Sequence, residues 1–285
     1  MLATLRRLLQ SSESRCREYL DTLIDEETPR LPPRARPPHW VEYSRPDQQD
    51  PRQLQHVEFR AACTHEPLPA WIDACSRLCR QIARCQIETV AIPITAITCV
   101  RASKSHGHGT ILDAGSAADL PDLRRFGSPD LQFEHCFHHA FGVAAKSQQF
   151  TRLGWNGVLS WQNSDGSHHL ARAIWLAHQH GLRATISGTC SNWEIDEDVL
   201  TQAQVHFGLC VVASRITYRI DPYRSAPLPH LARAFWRCSN DQGPETYLIA
   251  RDPSSPHRHV FDQWIGNLVR QGLARTLVAE LNLHR

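Results

Sequence analysis

Gly157-Val158-Leu159-Ser160-Trp161, then Asn163-Ser164-Asp165-Gly166-Ser167-His168-His169, then an unbroken helix-compatible stretch to Gly181: this run decides the fold of the 285-residue chain. The first segment reads as a short buried strand, the second as a polar turn, and residues 168–180 as a helix closed by glycine at its C-terminal cap. Residues 182–187 return as a strand. A strand, turn, helix and strand in that order point to an α/β or α+β fold, a mixed sheet with flanking helices.

Working outward, residues 69–86 predict a helix that carries Trp71, Cys75, Leu78, Cys79, Ile82 and Cys85 on a largely shared face. Residues 90–100 read as a buried strand, with Pro93 marking an edge or a bulge. A Gly/Ser/His loop follows at 103–109, a loop-rich stretch at 110–130 and a helix at 131–150. Further strands are expected at 207–220 and 246–251, and a final helix at 260–281. Upstream, residues 3–27 form an amphipathic pattern, and the Pro-rich run 29–38 stops it. The expected organisation is an N-terminal helical arm with a Pro-rich connector over 1–50 and a single α/β domain over 51–285.

Composition narrows the function. Lys+Arg total 31 against 29 Asp+Glu, so no global field points to nucleic acid or an anionic membrane. No apolar run is long enough to span a bilayer, and the N-terminus lacks the pattern of a secretory signal. Ten irregularly spaced cysteines contain no pair of CxxC units, which argues against a structural zinc site of that kind and for reduced thiols in the cytoplasm.

The central turn has the chemistry of an anion site. Gly166 permits a backbone conformation closed to other residues. Ser167 is expected to cap a helix starting at His168. The first amides of such a helix are unpaired within it and carry the positive end of its dipole. A phosphate there would receive N–H bonds, with His168, His169 and Arg172 adding donors and Asn163 lying beside it.

The run Val158-Leu159-Ser160-Trp161, Asp165-Gly166-Ser167-His168-His169-Leu170-Ala171-Arg172-Ala173 and Gly181 resembles the nucleotide-binding box of the ParB/sulfiredoxin-like superfamily. It is also similar to an uncharacterised group of bacterial and phage proteins with an Asn-Ser-Asp-Gly-Ser-His-His box. The likeness covers residues 155–190. It implies that Gly166, Ser167 and His168 contact nucleotide phosphates, and that Asp165 positions a Mg²⁺ ion bridging them. It further implies ATP or CTP as ligand and phosphoryl transfer or nucleotide hydrolysis as the activity. Ser167 stands where sulfiredoxins place a cysteine, so their redox chemistry does not carry over. His169 stands where an arginine is usual, which removes a bidentate phosphate clamp.

Two other readings stay open. His135 and His139 fall four apart on the 131–150 helix; with His168, His169 or Asp165 they would make a metal-dependent hydrolase, although the HExxH pattern is missing. Alternatively the chain is a non-enzymatic phage or host regulatory factor that engages a protein partner through its arm. The Lys104-Ser105-His106-Gly107-His108-Gly109 loop lacks P-loop spacing. Of eight tryptophans, Trp155 and Trp161 flank the site strand and are the candidates for a ligand contact.

Overall fold

A computed structural model describes residues 13–14, 16–18, 20, 51–61, 69–101, 103, 109–142, 148–163, 165–213, 231–237 and 246–281. Ser164, the loop residues 104–108 and most of the expected arm lie outside them. Among the described residues no helix is long and apolar enough to cross a membrane. Residues 51–285, expected as one domain, divide into two compact units. One holds the described residues of 49–84 and 195–285 with those of 13–20; the other holds those of 85–194.

The second unit carries the central turn. Its mixed five-stranded sheet runs β2 (Ala83–Pro93), β6 (Thr185–Ile195), β4 (Gln148–Leu153), β5 (Val158–Trp161), β3 (Cys99–Val100). β4 lies parallel to β6 and antiparallel to β5, and β3 lies parallel to β5. Strand side chains alternate between faces. Leu159 and Trp161 join one large core with Phe150, Val100 and Cys190, while Val158 groups separately with Cys99 and Leu153. The large core is roofed by α2 (Ile111–Ala117), α3 (Pro129–Phe141) and α4 (Ser167–His180), through Ile111, Ala114, Phe133, Cys136, Leu170 and Ile174. The α/β or α+β expectation of a mixed sheet with flanking helices holds.

The other unit has an antiparallel sheet, β1 (Arg60–Ala61), β8 (Leu231–Arg237), β9 (Thr246–Arg251), β7 (Cys210–Ala213), β10 (Ala274–Thr276). Around it stand α1 (Ala70–Arg80), α5 (Glu197–Phe207), α6 (Arg258–Arg270) and α7 (Leu277–Leu281). Of the N-terminal arm, Cys16 and Leu20 are buried here, and Trp264 Nε1 donates to the Leu20 carbonyl at 3.0 Å.

Several boundaries move. The expected 69–86 helix stops at Arg80, so Cys85 lies exposed on β2, away from the buried Cys75 and Cys79. The 131–150 helix ends at Gly142 in a positive-φ conformation (74°), and β4 begins at Gln148. The expected 260–281 helix is broken by Gly272 (φ 73°) into α6, β10 and α7. The loop-rich 110–130 stretch contains α2, started by a capping box in which Thr110 and Asp113 bond reciprocally.

Candidate functional site

The expected strand and helix occur, at Val158–Trp161 and Ser167–His180. Gly166 sits in the left-handed region (φ 77°, ψ 8°) and is itself the N-cap, because the first helical bond runs from Leu170 N–H to its carbonyl at 2.9 Å. Ser167 is therefore the first helical residue and not the cap. Its hydroxyl turns inward, 6% of the residue remains exposed, and it donates to Ser103 Oγ at 3.1 Å. The Gly166 N–H donates to Asp165 Oδ1 at 2.8 Å, and Asn163 Nδ2 donates to the Asp165 carbonyl at 3.2 Å. A Cβ at Gly166 would lie 3.1 Å from Ala140 Cα. What the glycine admits is thus the backbone of α3, packed close against the turn.

That packing brings a cluster together. Asp122, on a short 3-10 turn at Pro121–Arg125, presents Oδ2 to His135 Nε2 at 2.5 Å and to His169 Nε2 at 3.3 Å. His135 comes from the middle of α3 and His169 from the first turn of α4. The His139 ring, one turn beyond His135, lies face to face with His169, 3.5 Å between centroids and 13° between planes. Phe126 closes one side, 4.8 Å from the His135 ring. His169 keeps 13% side-chain exposure, His135 23% and Asp122 36%, so the cluster is recessed but reachable from solvent.

The electrostatics follow from that partial burial. Burial lowers the affinity of His169 for a proton, and the neighbouring His139 and His135 rings add to this, against the pull of Asp122. Burial also acts against the Asp122 charge, but the hydrogen bonds from His135 and His169 outweigh it and hold the carboxyl below its ordinary range. At neutral pH an ionised Asp122 therefore accepts from a neutral His169. Beneath them the thiol of Cys136 is pushed up to about 12, by burial first and then by the charge of Asp122, with Arg172 opposing. A carboxylate holding an imidazole by one nitrogen is an arrangement that serves proton transfer or metal ligation. Among the described residues, Asp122, His135 and His169 form the group whose ligand atoms all lie within 4.8 Å of one another.

Residues 87–234 match DUF6685, a family of unknown function. The chain belongs to this family. The match spans just over half of the chain and includes Asp122, His135, His139 and the whole 163–172 turn and helix start. No curated protein and no solved structure matches the chain.

The residues singled out in the sequence separate into three places. Asn163, Asp165, Gly166 and Ser167 build the turn, with His168 half-buried beside it. His169 leaves that group for the cluster with His135 and His139. Arg172 points away, donating from Nη1 to the Gly115 carbonyl at 3.3 Å and stacking its guanidinium 4.3 Å over Trp175. Trp161 is a buried core residue whose Nε1 donates to Gln148 Oε1 at 2.9 Å, and its ring packs on Phe141. The sequence pattern does not single out Asp122. It lies 13 and 47 residues from its two histidines, in a Pro-Asp turn with no spacing signal.

Proposed function

We propose that this chain binds a phosphorylated small molecule, a nucleotide such as ATP or CTP with Mg²⁺, at the start of α4 and hydrolyses or transfers its phosphoryl group. The observation that carries the reading is the double membership of His169, which stands in the first turn of α4 and in the Asp122–His135 cluster. An anion received at the amides of that turn lies beside an imidazole already oriented by a carboxylate. In hydrolysis that imidazole accepts a proton from the attacking water as the new P–O bond forms; the bond to the leaving oxygen breaks, and that oxygen takes up a proton. Asn163 and Asp165 hold the turn, Gly166 lets it pack, Ser167 braces the helix start from inside through its bond to Ser103, and His168 is the side chain that would donate to the phosphate. Arg172, turned toward Gly115 and Trp175, takes no part in it.

Calorimetric titration of ATP, ADP, CTP and GTP, with and without Mg²⁺, tests the binding half. Wild type should bind at least one of them, and the Ser167→Ala/His168→Ala variant should lose that heat with its circular dichroism unchanged. No heat from any nucleotide overturns the proposal.

A further inference from the structure

We infer that Asp122, His135 and His169 form a binding site for a first-row divalent transition-metal ion, Zn²⁺ foremost. This inference stands on the cluster alone and does not need a phosphate at the α4 turn.

The first argument is distance. Around a tetrahedral cation with bonds of about 2.0–2.2 Å, donor atoms stand roughly 3.4 Å apart. His169 Nε2 already stands 3.3 Å from Asp122 Oδ2, and the three donor atoms all fall within 4.8 Å. The closest pair, His135 Nε2 and Asp122 Oδ2 at 2.5 Å, must open by roughly one ångström, which a side-chain rotation supplies. Ligation needs each imidazole as its Nδ1–H tautomer, so that Nε2 offers a lone pair. The two hydrogen bonds to Asp122 are exchanged for metal bonds.

The second argument is rigidity. Each donor residue is next in sequence to a core residue: Leu123 is 6% exposed, Cys136 0% and Leu170 0%. The three backbones are therefore fixed by packing before any ion arrives, and three separate elements converge without relying on a flexible loop. Pre-ordering of this kind removes much of the entropic cost of assembling a site.

The third argument is donor chemistry. Two imidazoles and one carboxylate suit Zn²⁺, Fe²⁺ or Mn²⁺ better than Mg²⁺ or Ca²⁺, which prefer all-oxygen shells. One ionised carboxylate offsets half of the cation's charge. Three protein donors leave coordination positions open, as in catalytic rather than structural sites.

The test uses full-length protein stripped with a chelator and then dialysed free of it, in a Cys85→Ser background that removes the exposed thiol found on β2. Calorimetric titration with Zn²⁺, and with Mg²⁺ for comparison, reads stoichiometry and affinity. The expected result is one Zn²⁺ per chain at submicromolar Kd, with Mg²⁺ at least a hundredfold weaker. Asp122→Asn and His135→Gln should each weaken Zn²⁺ at least tenfold, whereas His138→Ala, an exposed α3 residue outside the cluster, should leave it unchanged. Circular dichroism of each metal-free variant identifies any that fails to fold; Asp122→Asn, the most conservative, then carries the comparison. Substoichiometric Zn²⁺, or equal affinity in wild type and Asp122→Asn, overturns the inference. Zn²⁺ binding without any nucleotide binding would keep this site and remove the phosphate reading.

Discussion

Gly115→Ala should destabilise the unit of residues 85–194 by about 3 kcal/mol or more, lowering its thermal midpoint by roughly 10 °C. In most helices the same change is favourable by up to about 1 kcal/mol, because glycine is a poor helix former. Here the sign reverses. A Cβ on Gly115 would lie 2.1 Å from the Ala171 carbonyl oxygen and 2.8 Å from Trp175 Cβ. Backbone cannot rotate out of the way as a side chain can, so α2 and α4 would have to part. That separation would strain the packing that sets the start of α4 and the Arg172 bond to the Gly115 carbonyl. Gly127→Ala is the control, since nothing stands within 4 Å of its added Cβ; it should change stability by less than about 0.5 kcal/mol. Equal thermal midpoints for the two variants would show that the α2–α4 approach is not as close as described.

Arg251→Met should cost the other unit about 3 kcal/mol in urea denaturation. The Arg251 side chain, 4% exposed at the end of β9, donates from Nε to Asp262 Oδ1 at 2.7 Å. Its Nη1 and Nη2 donate to the carbonyls of His206 at 3.0 Å and Val205 at 3.3 Å, in the last turn of α5. One guanidinium thus ties a strand to two helices and satisfies carbonyls that helix geometry leaves without partners. Methionine keeps the apolar stem and loses every donor. Asp262→Asn should cost under about 1 kcal/mol, because that carboxylate is 48% exposed and its pairing is screened by water. Similar losses from the two substitutions would contradict this assignment of the stabilisation to the buried carbonyl contacts.

The parts of the fold legible in the sequence were those with local signals of their own. The β5–turn–α4 unit announced itself through Gly166 and Gly181, both of which take left-handed conformations (φ 77° and 68°). Glycine misled where its role was tertiary. Gly115 lies within Asp113-Ala114-Gly115-Ser116, which reads as a turn, yet it is a helix interior made possible by the close passage of α4. Gly188 follows the expected end of the 182–187 strand, yet β6 runs on to Ile195. A Cβ there would stand 2.3 Å from the Gln148 carbonyl, so this glycine permits strand-to-strand approach. Helix α5 carries a local signal of its own: Asp196 caps it by accepting from Val199 N–H, and Gly208 (φ 59°) closes it.

The candidate site was half legible for the same reason. His135, His139 and His169 stand out as residue types and by the spacing of the first two. Their partner Asp122 is joined to them only by the packing of α3 and α4 over the sheet. Phosphate chemistry at the α4 start and metal chemistry at the cluster looked like competing explanations along the chain. In the folded unit His169 belongs both to the first turn of α4 and to the Asp122–His135 cluster.

The most direct test of the account is turnover. Release of inorganic phosphate from ATP, CTP and p-nitrophenyl phosphate should be measurable for wild type with Mg²⁺. It should fall about a hundredfold in Asp122→Asn, within the range expected when an acid–base group loses the carboxylate that orients it, while circular dichroism stays unchanged. No release from any of the three by wild type, or equal release by wild type and Asp122→Asn, would contradict the central claim that the Asp122–His135–His169 cluster is where this protein does its chemistry.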